Sequence, residues 1–195
     1  MAYQLEEINR RLKEDPAEFV AECDGVYQKR LETAADRILE RMKVSPIVLL
    51  SGPSGSGKTT TALNLEQELE RRGVQTHTIS MDNYFKTLNR RTAPRNAEGD
   101  IDYESPKLLD MDLLDETFTK LSRGEWVIVP KFEFARQMRN DSRGTPLKLD
   151  KNEIAIFEGI HALNDDISGR HPEATTLYIS ARSNILEGEA LRFKG

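Results

Sequence analysis

The stretch Gly52-Pro53-Ser54-Gly55-Ser56-Gly57-Lys58-Thr59 restricts this chain more than any other. It fills every required position of the pattern G-x-x-x-x-G-K-[ST], a phosphate-binding loop between a strand and a helix. Glycine tolerates positive φ, so successive backbone N–H groups can turn inward and cradle a diphosphate. Lys58 would carry a point charge to the β- and γ-phosphates, and the Thr59 hydroxyl would ligate Mg²⁺. A helix beginning near Lys58 aims its positive end at the same anion. Gly52, Ser54, Gly55, Ser56, Gly57, Lys58, Thr59 and the adjoining Thr60 therefore form the expected nucleotide-binding set. The alternative, an ordinary glycine-rich turn, does not require the lysine and threonine in these places.

The flanks agree with the loop. Residues 47–50 are a short apolar run of the length of a buried parallel strand. Residues 59–72 read as a helix with Ala62, Leu65 and Leu69 on one face, and Gly73 as its stop. Further strands are expected at 76–81, 126–130, 154–157 and 176–180, with a helix over 108–121. Residues 83–106 read as polar and irregular, and residues 132–150 as polar and basic with a turn signal at Ser142-Arg143-Gly144. Strands alternating with helices predict an α/β fold, a five-stranded and mainly parallel sheet covered on both faces.

Ahead of this core, residues 1–45 form a helix-rich, highly charged extension, and residues 46–195 are the expected nucleotide-binding domain. An apolar stripe runs through Phe19, Cys23, Val26, Tyr27, Leu31, Ala34, Ile38 and Met42. It predicts a helix packed on the core, or one that forms a dimer or binds a partner; a homo-oligomer is compatible with either. Cys23 on that stripe reads as a small buried hydrophobe. It is the only cysteine, which excludes an internal disulfide and a cysteine-rich zinc site.

A net charge of -5 disfavours a polynucleotide as the main partner. No apolar run reaches membrane-spanning length, and the first residues lack the pattern of a signal peptide. A cytoplasmic location is the expectation.

Ligands of open α/β sheets bind beyond the carboxyl ends of the strands. Three predicted strands deliver polar groups there: the loop after the first, Asp82 after the second and Glu158 after the fourth. A carboxylate beside a phosphate loop can hold Mg²⁺ or take a proton from an acceptor hydroxyl. Either residue could instead belong to a turn.

Five segments in order carry a resemblance. They are the phosphate loop, Met81-Asp82-Asn83-Tyr84-Phe85-Lys86, and Asp102-Tyr103-Glu104-Ser105-Pro106 with Leu108-Leu109-Asp110. The last two are Val129-Pro130-Lys131-Phe132-Glu133-Phe134 through Arg139, and Ile156-Phe157-Glu158-Gly159-Ile160-His161-Ala162-Leu163. Over about residues 46–180 the chain resembles the uridine kinase and phosphoribulokinase family of phosphate-loop kinases. The resemblance implies a three-layer phosphate-loop NTPase fold and transfer of the γ-phosphoryl of ATP to a ribose-type hydroxyl, with Mg²⁺. It implies Asp82 as the base, with Lys58 on the phosphates, and Glu158, Thr59 and Asp82 around the metal. Tyr84, Lys107, Phe132, Gln137 and Arg139 fall on its acceptor side.

The chain departs from uridine kinases at three acceptor positions. Lys107 stands where a ribose-binding aspartate is usual, and Phe132 and Gln137 where tyrosine and histidine face the pyrimidine. Lys107 would favour an acceptor bearing its own negative charge, such as a phosphorylated sugar. The family's arginine-rich lid helix has no counterpart before Gly195. A nucleotide-binding regulatory or interaction module with little transfer is the alternative from another class.

Overall fold

A computed structural model describes residues 2–195. The chain begins with a short strand β1 (Ala2–Gln4) and helices α1 (Leu5–Glu14) and α2 (Pro16–Arg41). Asp15 starts α2 by accepting from the Glu18 N–H at 2.9 Å, with Pro16 in the first turn. Next come β2 (Ile47–Ser51), α3 (Lys58–Arg71) and β3 (Gln75–Ser80). After a long irregular passage follow α4 (Met111–Ser122), β4 (Val127–Glu133), β5 (Met138–Leu147) and β6 (Glu153–Glu158). The chain closes with α5 (Asp165–Ser168), β7 (Thr175–Tyr178), β8 (Asn184–Glu187) and β9 (Ala190–Phe193).

The central sheet has the order β3-β6-β2-β7, and every pairing in it is parallel. Side chains alternate across it, so each strand feeds two separate cores. Ile47 and Leu49 of β2, with Ala155 and Phe157 of β6, face a core closed by Leu114, Phe118 and Leu121 of α4. Val48, Leu50, Ile154 and Ile156 face the other, closed by Leu65 and Leu69 of α3 and by Leu31, Ala35 and Ile38 of α2. This is the expected three-layer α/β arrangement, and it explains why β2 is buried along its whole length.

Four strands, not five, make this sheet. The expected strand at 126–130 is β4, which pairs antiparallel with β5 in a separate two-stranded sheet. Residues 132–150, to which no strand was assigned, contain β5. The physical reason lies in β4 itself. Ile128 and Lys131 are exposed between buried Val127, Pro130 and Phe132, a one-sided strand unsuited to a sheet covered on both faces. Pro130 also lacks a donor, and the register shifts between Val129 and Lys131.

The N-terminal stripe is buried only in part. Past Tyr27 it docks on α3 and the sheet, whereas Cys23 and Val26 are exposed. The expectation of a buried Cys23 is thus corrected: α1 folds back near Phe19 through Arg11, which pairs with Glu22 at 2.6 Å, and leaves Cys23 uncovered. The final residues form the hairpin of β8 and β9, to which β1 adds in parallel.

Candidate active site

The loop after β2 needs its glycines for two different reasons. A Cβ on Gly52 would lie 2.2 Å from the Ile179 carbonyl oxygen, so the backbone there is too close to the residue after β7 for any side chain. Gly55 and Gly57 have φ of 72° and 85°, the left-handed region. Gly57 is the residue before α3, and the first turn of α3 carries no acidic side chain to offset its positive end. Lys58 folds back over the loop and donates from Nζ to the Pro53 carbonyl at 3.0 Å. Ser54, Gly55, Thr59 and Thr60 are exposed along the rim, while Ser56 is buried. These features suit a phosphate chain: a cradle closed to side chains, an ammonium above it and a helix end behind it.

Strand register brings the acidic groups to this loop. Glu158, the last residue of β6, lies opposite Ser80 of β3 and Leu50 of β2. Past Ser80 the chain turns through a short 3₁₀ segment, Met81–Tyr84, and the Ser80 hydroxyl accepts from the Asp82 N–H at 3.4 Å. Burial raises the Asp82 carboxyl above its ordinary range, opposed by the nearby charges of Lys58 and His161. Burial likewise raises Glu158, and the Asp82 carboxylate raises it further; the hydroxyls of Ser80 and Thr59 and the charge of Lys58 act the other way. Asp82, Glu158, Lys58 and Thr59 are therefore close enough to act on one another. Two carboxylates and a hydroxyl beside a phosphate cradle fit Mg²⁺, which keeps water and phosphate oxygens in its shell. Among the described residues, no group of three His, Cys, Asp or Glu could hold a metal alone.

Beyond the carboxylates, Asn83 links the turn to β4 by accepting from the Phe132 N–H at 3.3 Å. Phe132 and Gln137 line a cavity of about 270 Å³ with Phe85, Leu88, Tyr103 and Phe134. Phe132 meets Phe85 and Phe134 edge-on, with centroids 5.6 and 5.2 Å away. Gln137 sits at φ 52° and donates from Nε2 to the Tyr103 hydroxyl at 3.3 Å. The other three expected residues lie elsewhere. Arg139 is engaged by Asp110 at 2.6 Å and Asp141 at 2.8 Å and is not among the lining residues. Lys107 is exposed on a short 3₁₀ turn, Pro106–Leu108, and is not among the lining residues.

Tyr84 requires a correction. It is fully buried against Phe157, burial pushes its phenol up to about 12, and it serves the core instead of facing an acceptor. Sequence reasoning also left four residues unassigned: Ser80, His161, Tyr103 and Phe134. Tyr103, Phe134 and His161 lie in the segments that carry the resemblance, and Ser80 directly precedes the second of them. His161 has a buried Nε2 without a hydrogen-bond partner.

Comparison with known proteins agrees with this geometry. The family model described as "Phosphoribulokinase / Uridine kinase family" matches residues 47–182. A uridine kinase of Schizosaccharomyces pombe is 35% identical over 117 residues, 60% of this chain and 25% of that protein. A uridine kinase of Staphylococcus aureus (strain JH9) is 32% identical over 126 residues, 65% of this chain and 58% of that protein. The chain thus spans a quarter and somewhat over half of these two relatives. A solved structure from Silicibacter sp. TM1040, provisionally named a fructose transport system kinase, shares the fold at TM-score 0.60 and 23% identity, covering 76% of this chain and 73% of that one.

Proposed function

The chain belongs to the phosphoribulokinase / uridine kinase family, and on that basis we propose that it transfers the γ-phosphoryl group of ATP to a hydroxyl of a nucleoside or related sugar. One observation carries the reading: Lys58, Thr59, Asp82 and Glu158 meet at the carboxyl edge of a parallel sheet, beside a glycine cradle.

The backbone of residues 52–60 binds the phosphates, and Lys58 leaves the Pro53 carbonyl for the β- and γ-oxygens. Asp82 takes the proton of the acceptor hydroxyl as that oxygen bonds to the γ-phosphorus and the bond to the ADP oxygen breaks. When bound, Mg²⁺ neutralises charge on the transferring group, held by Thr59 and Glu158 with Asp82 alongside. Positioning and charge stabilisation supply most of the catalysis in such a transfer. The cavity at Phe132, Phe134 and Tyr103 supports a nucleoside acceptor, because its aromatic walls suit a planar base.

The test is ADP release from Mg-ATP across nucleosides, sugars and sugar phosphates. The expected result is stimulation by a nucleoside, falling by about 10²-fold or more in Asp82→Ala while ATP still binds. Stimulation by a phosphorylated sugar alone would move the acceptor assignment. ATP binding with no acceptor-dependent release would favour a regulatory module.

A further inference from the structure

α2 lies outside the matched segment 47–182, yet it walls a cavity that opens beside the phosphate loop. The cavity has a volume of about 510 Å³, within the range of small-molecule sites. Ser56, Gly57 and Thr60 form its loop side, the end of β7 forms a second wall, and Tyr27, Arg30 and Ala34 of α2 form the third. Its floor is apolar, built from side chains of the α2–α3 core such as Leu31 and Leu65.

Two independent features mark it as a binding site. Ser56 is only 8% exposed, and its hydroxyl oxygen is buried without a hydrogen-bond partner. Such groups are rare in folded proteins and call for a ligand or water. Tyr27 is also held in place from α3: its hydroxyl shares a hydrogen bond with Thr61 Oγ1 at 3.0 Å and accepts from Asn64 Nδ2 at 3.1 Å. The wall is thereby pre-organised.

We infer that α2 supplies the base-side wall of the nucleotide site, with the nucleobase of the phosphate donor seated against Tyr27, Ala34 and Arg30. The inference rests on the nucleotide reading of the loop and adds to it a wall from outside the matched segment. Lys58, Thr59, Asp82 and Glu158 do not line the cavity, so the reacting end of a bound nucleotide points away from it. Gly57 and Thr60 belong to both cavity and loop, so the other end enters it. The apolar floor disfavours phosphate and favours a flat heteroaromatic ring. The phenol of Tyr27 and the guanidinium of Arg30 can lie against that ring and the ribose.

The test compares Mg-ATP with Mg-tripolyphosphate, which has the phosphates and no base, by calorimetric titration of the whole chain. Wild type should bind ATP at least about tenfold more tightly than tripolyphosphate, since only ATP fills the cavity. Ala34→Phe, which fills it, should lower ATP affinity to about the tripolyphosphate level and leave tripolyphosphate within about twofold. Arg30→Ala should weaken ATP alone by about threefold, and it keeps the question decidable should Ala34→Phe fail to fold by circular dichroism. Equal binding of the two ligands by wild type would overturn the inference. So would a folded Ala34→Phe that binds ATP normally or loses both ligands. Failure of wild type to bind either ligand would instead remove the nucleotide reading itself.

Discussion

Asp82 and Glu158 cost the ligand-free protein stability wherever they are ionised, because burial favours the protonated form. Their folded pKa values lie above the unfolded ones. Stabilisation by the bound protons is therefore complete below the ordinary carboxylate range and is lost as pH rises through the raised values. Glu158→Gln should accordingly be more stable than wild type at about pH 7, and the gap should narrow as pH falls toward about 5. Chemical unfolding in chelator at both pH values checks this; a gap that widens on acidification would contradict it. The position of each carboxylate was legible in the sequence, since each follows a recognisable strand. The raised pKa values were not, because they depend first on burial and, for Glu158, on Asp82 lying beside it.

At the scale of elements, α2 joins two kinds of surface in one helix. Its last turns bury Leu31, Ala35 and Ile38 against α3 and the sheet, and Arg72, just past α3, ties back to Asp36. Its first turns leave Val20 and Val26 in solvent at 54% and 53% exposure. Truncating a packed aliphatic side chain costs its transfer free energy and opens a cavity. Ile38→Ala should therefore cost about 2–4 kcal/mol in urea unfolding, whereas Val26→Ala should stay within about 0.5 kcal/mol. Equal effects would mean that the whole stripe is packed. Periodicity located the helix but could not say where its cover stops, because the apolar stripe runs evenly past Tyr27 in both directions. The hairpin of β4 and β5 has the same origin: the strand was visible in residues 126–130, and its partner was not.

For the whole molecule, a ligand that binds only the folded state raises its stability by mass action. Mg-ATP at a hundred times its dissociation constant should add about 2.7 kcal/mol, a rise in Tm of about 5–10 °C for a chain of this size. Lys58→Ala should abolish most of that rise in a thermal-shift assay; an equal rise in the variant would place ATP away from the loop. Sequence alone determined the phosphate loop, the buried strands 47–50 and 154–157, and the carboxylates at strand ends. Each is written in a contiguous stretch, whose φ demands, apolar runs and spacing act locally. Only the tertiary structure decided that β4 leaves the central sheet, that Tyr84 is core, that Cys23 is exposed and that α2 flanks the phosphate loop. Those outcomes depend on which distant segments cover one another, and a side chain's neighbours across the fold leave no trace in its neighbours along the chain.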